Sequence, residues 1–487
     1  MKHRLSRFAV FVLLLFLLSG CTPVGEQPPT WPIVLSDELL ALLETVNAEH
    51  KAIVKPEIDE AAIVERWARD TSKYSLDYQI VGSMTNGVLT AQQAKNDVNV
   101  LFYNLQTKYG LYEYFGGDGV FDVAKVAILE ACDAAGTLTP DELADILLMN
   151  FSFVKDAHFT VDDMLCASVV YPFHYRDVAF EKVDGGYQSL KDKKRVNSVD
   201  GYEDLDTLFR RSISVVLAEI TEQNSWAEPF TPDALSIRYA DGSTQILRTK
   251  PYGCSHNDDR DDIELYENRG IPVLFSSQMG FDEAGDQCAR AFLAYAEQLK
   301  DEPVVILDLR LNMGGNVALP YKWLHAYSGK NVTGNSYLID YIPATTQHVG
   351  NESYVSDKTL SHLAERVIGG RITLSDGRPD VFVENGNLLI ALTGKHTASA
   401  AETMVDLLHN VGNVLFIGDL TYGCYVGLDG GVSGKLPCSQ VSVKFGSALR
   451  IFPEGGHFQE MRGFFPDLWV PADQAEELAL KLLFTSK

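Results

Sequence analysis

The 487-residue chain predicts an α/β protein, and three observations carry that expectation. Apolar runs at 303–308 (PVVILD), 388–393 (LLIALT) and 414–418 (VLFIG) read as strands, the first of the kind buried on both faces. Beside them lie segments with helical spacing, among them Cys288, Phe292, Tyr295, Ala296 and Leu299. Strands and helices that alternate in this way build a layered core. That core is expected over residues 261–487, after a mainly helical region at 36–165 and a β-rich segment at 166–260.

The chain opens with Lys2, Arg4 and Arg7, then an apolar run from Phe8 to Leu18 and the tetrad Leu18-Ser19-Gly20-Cys21. This is the pattern of a secretory signal, and the run is too short for an ordinary membrane span. The tetrad resembles the bacterial lipobox, which implies a signal peptide at 1–20, a lipid on Cys21, and an extracytoplasmic place in a bacterial cell envelope. Residues 21–35, rich in proline and polar groups, read as a tether.

Within the helical region, Thr90 with Gln93 and Thr139 with Glu142 match the capping box, and Pro140 takes the favoured first helical position. The stretches NGVL at 86–89 and GGDG at 116–119 read as breaks between helices. Farther on, Leu235, Ile237 and Tyr239 alternate, Asp241-Gly242 supplies a turn, and Ile246-Leu247 resumes a strand, which predicts a hairpin. The stretch at 195–211 (RVNSVDGYEDLDTLFRR) resembles the strand, turn and helix of a PDZ domain. The acidic stretch at 254–264 reads as a solvated linker and lacks the ligand spacing of an EF-hand.

Acidic residues outnumber basic ones 66 to 41, a net charge of −25. Such a surface repels nucleic acid and anionic headgroups, so membrane contact is expected through the Cys21 lipid alone. The other cysteines are Cys132, Cys166, Cys254, Cys288, Cys424 and Cys438, and none lies in a C-x-x-C pair that would signal zinc. A Cys424–Cys438 bridge would close a short loop. No metal and no organic cofactor is expected.

The motifs with chemical content lie in the α/β region. Ser399 and Glu402 again match the capping box, and Met404, Val405, Leu407 and Leu408 follow with helical spacing. Ser399 thus reads both as a helix cap and as a serine where a strand gives way to a helix. Three further stretches accompany it: LDLRLNMGG at 307–315, IGDLTYG at 417–423 and EMRGFFPDLWV at 460–470. Taken in order with TASAAE at 397–402, they resemble the C-terminal processing (tail-specific) serine peptidase family.

That resemblance implies a crotonase/ClpP-like core, a peptide or protein substrate, and Ser399 as nucleophile. A helix start offers unpaired amides and a partial positive charge to a developing oxyanion. The oxyanion hole would combine the amide of Ala400 with that of Gly314 or Gly315. Asp308 and Arg310 would hold the strand end.

The better-known branch of the family uses a lysine base after the T-x-G of the third motif, and Cys424 stands there. A thiol of ordinary pKa is a poor base for serine, and Lys395 and Lys435 read as exposed charges. The chain is more similar to the tricorn-like branch, whose D-x-H motif corresponds to Asp156–His158 and whose glutamate corresponds to Glu460. This resemblance implies His158 as general base, oriented by Glu460. His396 is a rival base, and His457 and Glu454 are rivals for the downstream role. Three functions are compatible with these residues: an exported serine endopeptidase, a catalytically inactive lipoprotein that binds peptides or envelope partners, and an esterase or amidase with the same triad.

Overall fold

A computed structural model describes residues 34–53, 73–79, 84–175, 178–213, 215–224, 234–250, 261–280, 286–342, 371–375, 382–428, 432–452 and 458–484. The signal segment, Cys21 and most of the tether and acidic linker lie outside these residues.

The helical region supplies α1 (Asp37–Lys51), α2 (Ala91–Lys108), α3 (Gly117–Ala135) and α4 (Pro140–Asn150). Thr90 and Thr139 cap α2 and α4 from extended backbone, and both capping boxes are complete. The GGDG break is a helix start: Gly116, at φ 106°, is the N-cap of α3.

The β-rich segment holds β1 (Ser168–Tyr175), β2 (Val196–Val199), β3 (Val215–Asn224), β4 (Leu235–Tyr239) and β5 (Thr244–Leu247). The hairpin β4–β5 pairs Leu235 with Leu247 and Arg238 with Thr244, in the alternation the sequence predicts. The helix expected near 205 is a single 3-10 turn, Leu205–Thr207, that gives way at once to the strand Phe209–Arg211. Three residues cannot bury a helical face, so Leu208 and Phe209 fill the local core, with Phe180, Tyr187 and Ile237.

The α/β core is a six-stranded sheet in the order β6 (Ile263–Asn268), β7 (Ile271–Ser276), β8 (Val304–Asp308), β10 (Leu388–Thr393), β11 (Val414–Gly418) and β14 (Leu468–Trp469). β6 and β7 are antiparallel, and the remaining neighbours are parallel. Alternate residues face opposite layers. Val305, Leu307, Leu389 and Ala391 pack with α5 (Gln287–Leu299), α6 (Ala318–Ser328) and α7 (Ala400–Leu408). Val304, Ile306, Leu388 and Ile390 pack with α1 and α8 (Ala475–Phe484).

The mixed α/β architecture therefore has helices on both faces of a largely parallel sheet, as its uninterrupted apolar strands require. A second sheet brings β9 (Tyr337–Ile342) beside β13 (Ala448–Ile451), with β12 (Gly427–Leu428) on the far side of β13. Helices α2 to α4 share the apolar cluster of α5, α6 and α7, which carries the segment after α4 to the parallel sheet. Among the described residues no helix is long and apolar enough to cross a membrane.

Candidate active site

Three chain segments meet at the C-terminal ends of the parallel strands. The first follows β8. The guanidinium of Arg310 clamps Asp308 at 2.7 and 2.8 Å and donates to the Ala472 carbonyl, which fixes the strand end. Asn312 then donates to Ser276 on β7 and accepts from the Gly314 amide at 3.0 Å. Gly314 and Gly315 have φ of 91° and 139°, backbone that side chains resist. A Cβ on Gly314 would lie 2.8 Å from both Ser399 Cβ and the Ala400 nitrogen. Glycine is what lets this loop lie against the serine.

The second segment links β10 to α7. Thr397 donates to the Leu309 carbonyl and the Ala398 amide to Asn312, so this turn is stitched to the first loop. Ser399 has φ 53° and ψ −113°, far from the extended backbone of the Thr90 and Thr139 caps. Such a conformation costs roughly 1–3 kcal/mol and persists only where the surroundings dictate it. The Ser399 amide donates to Glu402 Oε2 at 3.1 Å.

Glu402 is fully buried and also accepts from the Thr421 hydroxyl and the amides of Gly423 and Cys424. Burial pushes its carboxyl up, while these four donors pull against that shift. One side chain thereby ties the serine to the segment after β11.

The third segment carries the histidine. His158 is buried, and its Nε2 lies 3.3 Å from Ser399 Oγ. Cys424 Sγ lies 3.3 Å from Nε2 and 3.4 Å from Nδ1 of the same ring. Asp156 accepts from the His158 amide at 2.9 Å and from the Tyr109 hydroxyl at 2.8 Å, and its Oδ1 is 3.9 Å from Nδ1. Glu460 accepts from the amides of Ala157, Tyr425 and Val426 at 3.2, 3.0 and 2.7 Å.

Burial, and then the charge of Asp156, push the Glu460 carboxyl well above the ordinary carboxylate range. Glu460 thus ties the backbone beside His158 to the segment after Cys424, while Asp156 Oδ1 lies 3.9 Å from Nδ1.

Sequence reasoning missed the surroundings of Lys395. This residue is not an exposed charge. It is 2% exposed and donates to the carbonyls of Thr421 and Tyr422 at 3.0 and 2.7 Å. Burial pulls its ammonium down to about 7, and a neutral amine still has two N–H groups for those two carbonyls. Nothing in TGKH separates a lysine folded inward from one at the surface.

Lys435 is exposed. His396 is half-buried, and the ring nitrogen at hydrogen-bond distance from Ser399 Oγ belongs to His158. Cys424 and Cys438 are free thiols rather than a bridge, the first drawn to the His158 ring and the second beside Asp97. His457, Glu454 and Cys21 lie outside the described residues.

The two glycines also part company. The Gly314 amide is engaged by Asn312. Met279 bonds to the Gly314 carbonyl and the Asn316 amide, a parallel bridge opposite Gly315. In that pattern the amide of Gly315 points away from Met279. Ala400 opens α7, so its amide has no acceptor within the helix. Among the described residues no group of three His, Cys, Asp or Glu side chains is placed to hold a metal.

Residues 277–469 match the model of peptidase family S41. This segment, 193 of the 487 residues, is similar to the serine-type peptidases of that family. The matched segment runs from the end of β7 to β14 and so includes Gly314, Gly315, Ser399, Cys424 and Glu460, while His158 lies upstream of it.

Solved structures resemble the chain more distantly. Mature CPAF is 15% identical, with 81% of this chain and 98% of that one covered and a TM-score of 0.41. The photosystem II D1 C-terminal processing protease is 12% identical over 79% and 94%, with a TM-score of 0.34. A lipoprotein from Streptococcus agalactiae is 12% identical over 84% and 98%, with a TM-score of 0.38. No curated protein matches the chain by sequence.

Proposed function

We propose that the chain is an exported, lipid-anchored endopeptidase of the Ser-His-acid type, with a crotonase/ClpP-like core. The observation that carries this reading is the 3.3 Å separation of Ser399 Oγ and His158 Nε2. His158 takes the hydroxyl proton as Oγ attacks the peptide carbonyl, and the tetrahedral oxyanion meets the amides of Ala400 and Gly315. The imidazolium then gives its proton to the leaving amine. Water, activated by the same ring, hydrolyses the acyl-enzyme. The carboxylate of Asp156, 3.9 Å from Nδ1, stabilises the imidazolium.

The soluble chain lacking residues 1–21, treated with a fluorophosphonate, tests this reading. Labelling of Ser399 that is lost in His158→Ala and kept in Cys424→Ala is the expected result. A catalytically inactive binding protein would give no labelling and no turnover of an unfolded protein. Ester turnover without peptide turnover would mark an esterase.

A Ser-Lys mechanism has one observation in its favour, the buried Lys395 with its ammonium near 7. Its Nζ lies against the carbonyls of Thr421 and Tyr422, which favours a role in holding that segment. Loss of labelling in Lys395→Met with retention in His158→Ala would reverse the assignment.

The lipid on Cys21 belongs to the same proposal and places the enzyme on an extracytoplasmic face of a bacterial envelope. Detergent-phase partitioning that disappears in Cys21→Ala checks it. We read the β-rich segment as a PDZ-like accessory module that takes a peptide chain. Its own apolar core supports this, as does the edge strand β5, whose Ile246 is exposed.

A further inference from the structure

Arg450 on β13 is the cation least expected in a chain of net charge −25. It is 6% exposed and lines a cavity of about 100 Å³ with Val317, Tyr321, Thr333, Ser336 and Leu428. Its Nη1 donates to Ser336 Oγ at 3.0 Å, and its guanidinium lies 4.0 Å from the centre of the Tyr425 ring. Its Nε has no hydrogen-bond partner among the described residues, and neither has Nδ2 of the adjoining Asn335.

The nearby carboxylate is Asp406, and it is already satisfied. Its oxygens accept from the Asn335 amide and the Ser336 hydroxyl at 2.7 Å each, and from the Tyr425 hydroxyl at 3.3 Å. Ser336 stands between Asp406 and Arg450, and among the described residues no carboxylate lies within ion-pair distance of the guanidinium. A buried cation with an orphaned donor beside a cavity is a costly arrangement unless an anion completes it.

The cavity is built from the segments that build the catalytic centre. Val317 follows Gly315 by two residues, and Tyr425 adjoins Cys424, whose sulfur touches His158. Asp406 rides on α7 behind Ser399. The volume exceeds the ~30 Å³ share of one water several-fold, enough for a short side chain with a charged end.

We propose that the Arg450 cavity receives an acidic side chain of the peptide substrate and sets where Ser399 cuts. Carboxylate oxygens would bond to Nε of Arg450, with the Thr333 to Ser336 segment forming the opposite wall. The assignment rests on the peptidase reading above, and the test keeps the two apart.

Labelled hexapeptides with amidated ends, identical except for one internal Asp, Glu, Asn or Gln, are titrated by fluorescence anisotropy into Ser399→Ala protein. In parallel, wild-type enzyme digests an unfolded protein and the cuts are mapped by mass spectrometry. The acid peptides should bind about tenfold more tightly than their amides, as a charge-assisted pair with arginine allows. Cuts should be enriched to a similar degree beside Asp or Glu. The acid-to-amide ratio should fall to about 1 when Arg450→Met is added.

Leu428→Phe narrows the cavity with the guanidinium intact. It should lower the ratio too, and it carries the comparison if Arg450→Met does not fold. Equal binding of acid and amide peptides, or cuts without acidic enrichment, overturns the proposal. Acid preference in binding without any wild-type turnover would sink the peptidase reading and leave the pocket. Turnover without acid preference would do the reverse.

Discussion

Three helices of this protein start from the same sequence signature, and only one of them starts like an active site. Thr90-x-x-Gln93 and Thr139-x-x-Glu142 have cap residues at φ near −76° and ψ near 160°, with each hydroxyl accepting from the backbone three residues on. Ser399-x-x-Glu402 has its cap at φ 53° and ψ −113°, its hydroxyl beside an imidazole, and its glutamate buried among four donors. Glu142, in contrast, is exposed and serves its own helix. A capping box therefore specifies a helix start, while the neighbours decide whether the hydroxyl is spent on the helix or kept for a substrate. Gly314 is the decisive neighbour here, because a side chain at that position would push the serine out of its conformation.

Catalysis should show the largest effect. Ser399→Ala and His158→Ala should each lower kcat by about 10⁶-fold, and the double variant should be little worse than either, since the two act as a unit. Steady-state hydrolysis of an unfolded protein measures it. Additive losses would mean that the 3.3 Å contact is structural and not catalytic.

Next is the pH dependence that sets the third box apart. Lys395 has a value of about 7 when folded, against 10.5 for an ordinary lysine. Between those values the folded chain holds fewer protons than the unfolded one, so stability rises with pH across that window and is flat below it. Lys395→Met removes the slope. From pH 6.5 through 8 to 9.5 the urea midpoint of wild type should rise relative to that of Lys395→Met, and a constant difference would mean that the lysine stays charged in the fold.

A smaller effect distinguishes the two glutamates. Glu402→Gln keeps the shape but puts an NH₂ against amide and hydroxyl donors, which costs roughly 2–3 kcal/mol in a buried site. It should also slow fluorophosphonate labelling, because Thr421, Gly423 and Cys424 lose their common anchor. Glu142→Gln should cost a few tenths of that, because Glu142 is exposed to water. Equal denaturation midpoints for the two variants would erase the distinction.

What the sequence made legible follows the same division. The parallel strands β8, β10 and β11 announce themselves as uninterrupted apolar runs, because burial on both faces leaves no place for polar alternation. The boxes at 90 and 139 were equally plain, since capping is local. The short 3-10 turn at 205–207 is not legible in this way, because the need for Phe209 in the local core stops the helix and is not a local signal. Nor are the inward turn of Lys395, the bond that engages the Gly314 amide with Asn312, or the nearness of Asp156 to Glu460. The first and the last depend on which residues far apart in sequence become neighbours: Asp156 and Glu460 are some three hundred positions apart and meet only when the helical region packs on the sheet.

The smallest predictions concern the ordinary caps, and they bear on how independent the boxes are. Thr90→Ala and Thr139→Ala should each cost about 1 kcal/mol of stability, the usual worth of an N-cap, by urea denaturation. Neither should change the rate at which Ser399 is labelled, provided that α4 ends before its influence reaches the histidine. Thr139 sharpens the question, because α4 leads through Phe151 and Val154 directly into Asp156 and His158. If Thr139→Ala slows labelling while Thr90→Ala does not, the helical region holds the base in register and is part of the catalytic apparatus. Equal, unchanged rates would make Tyr109, bonded to Asp156 from the end of α2, the contact that secures the D-x-H turn.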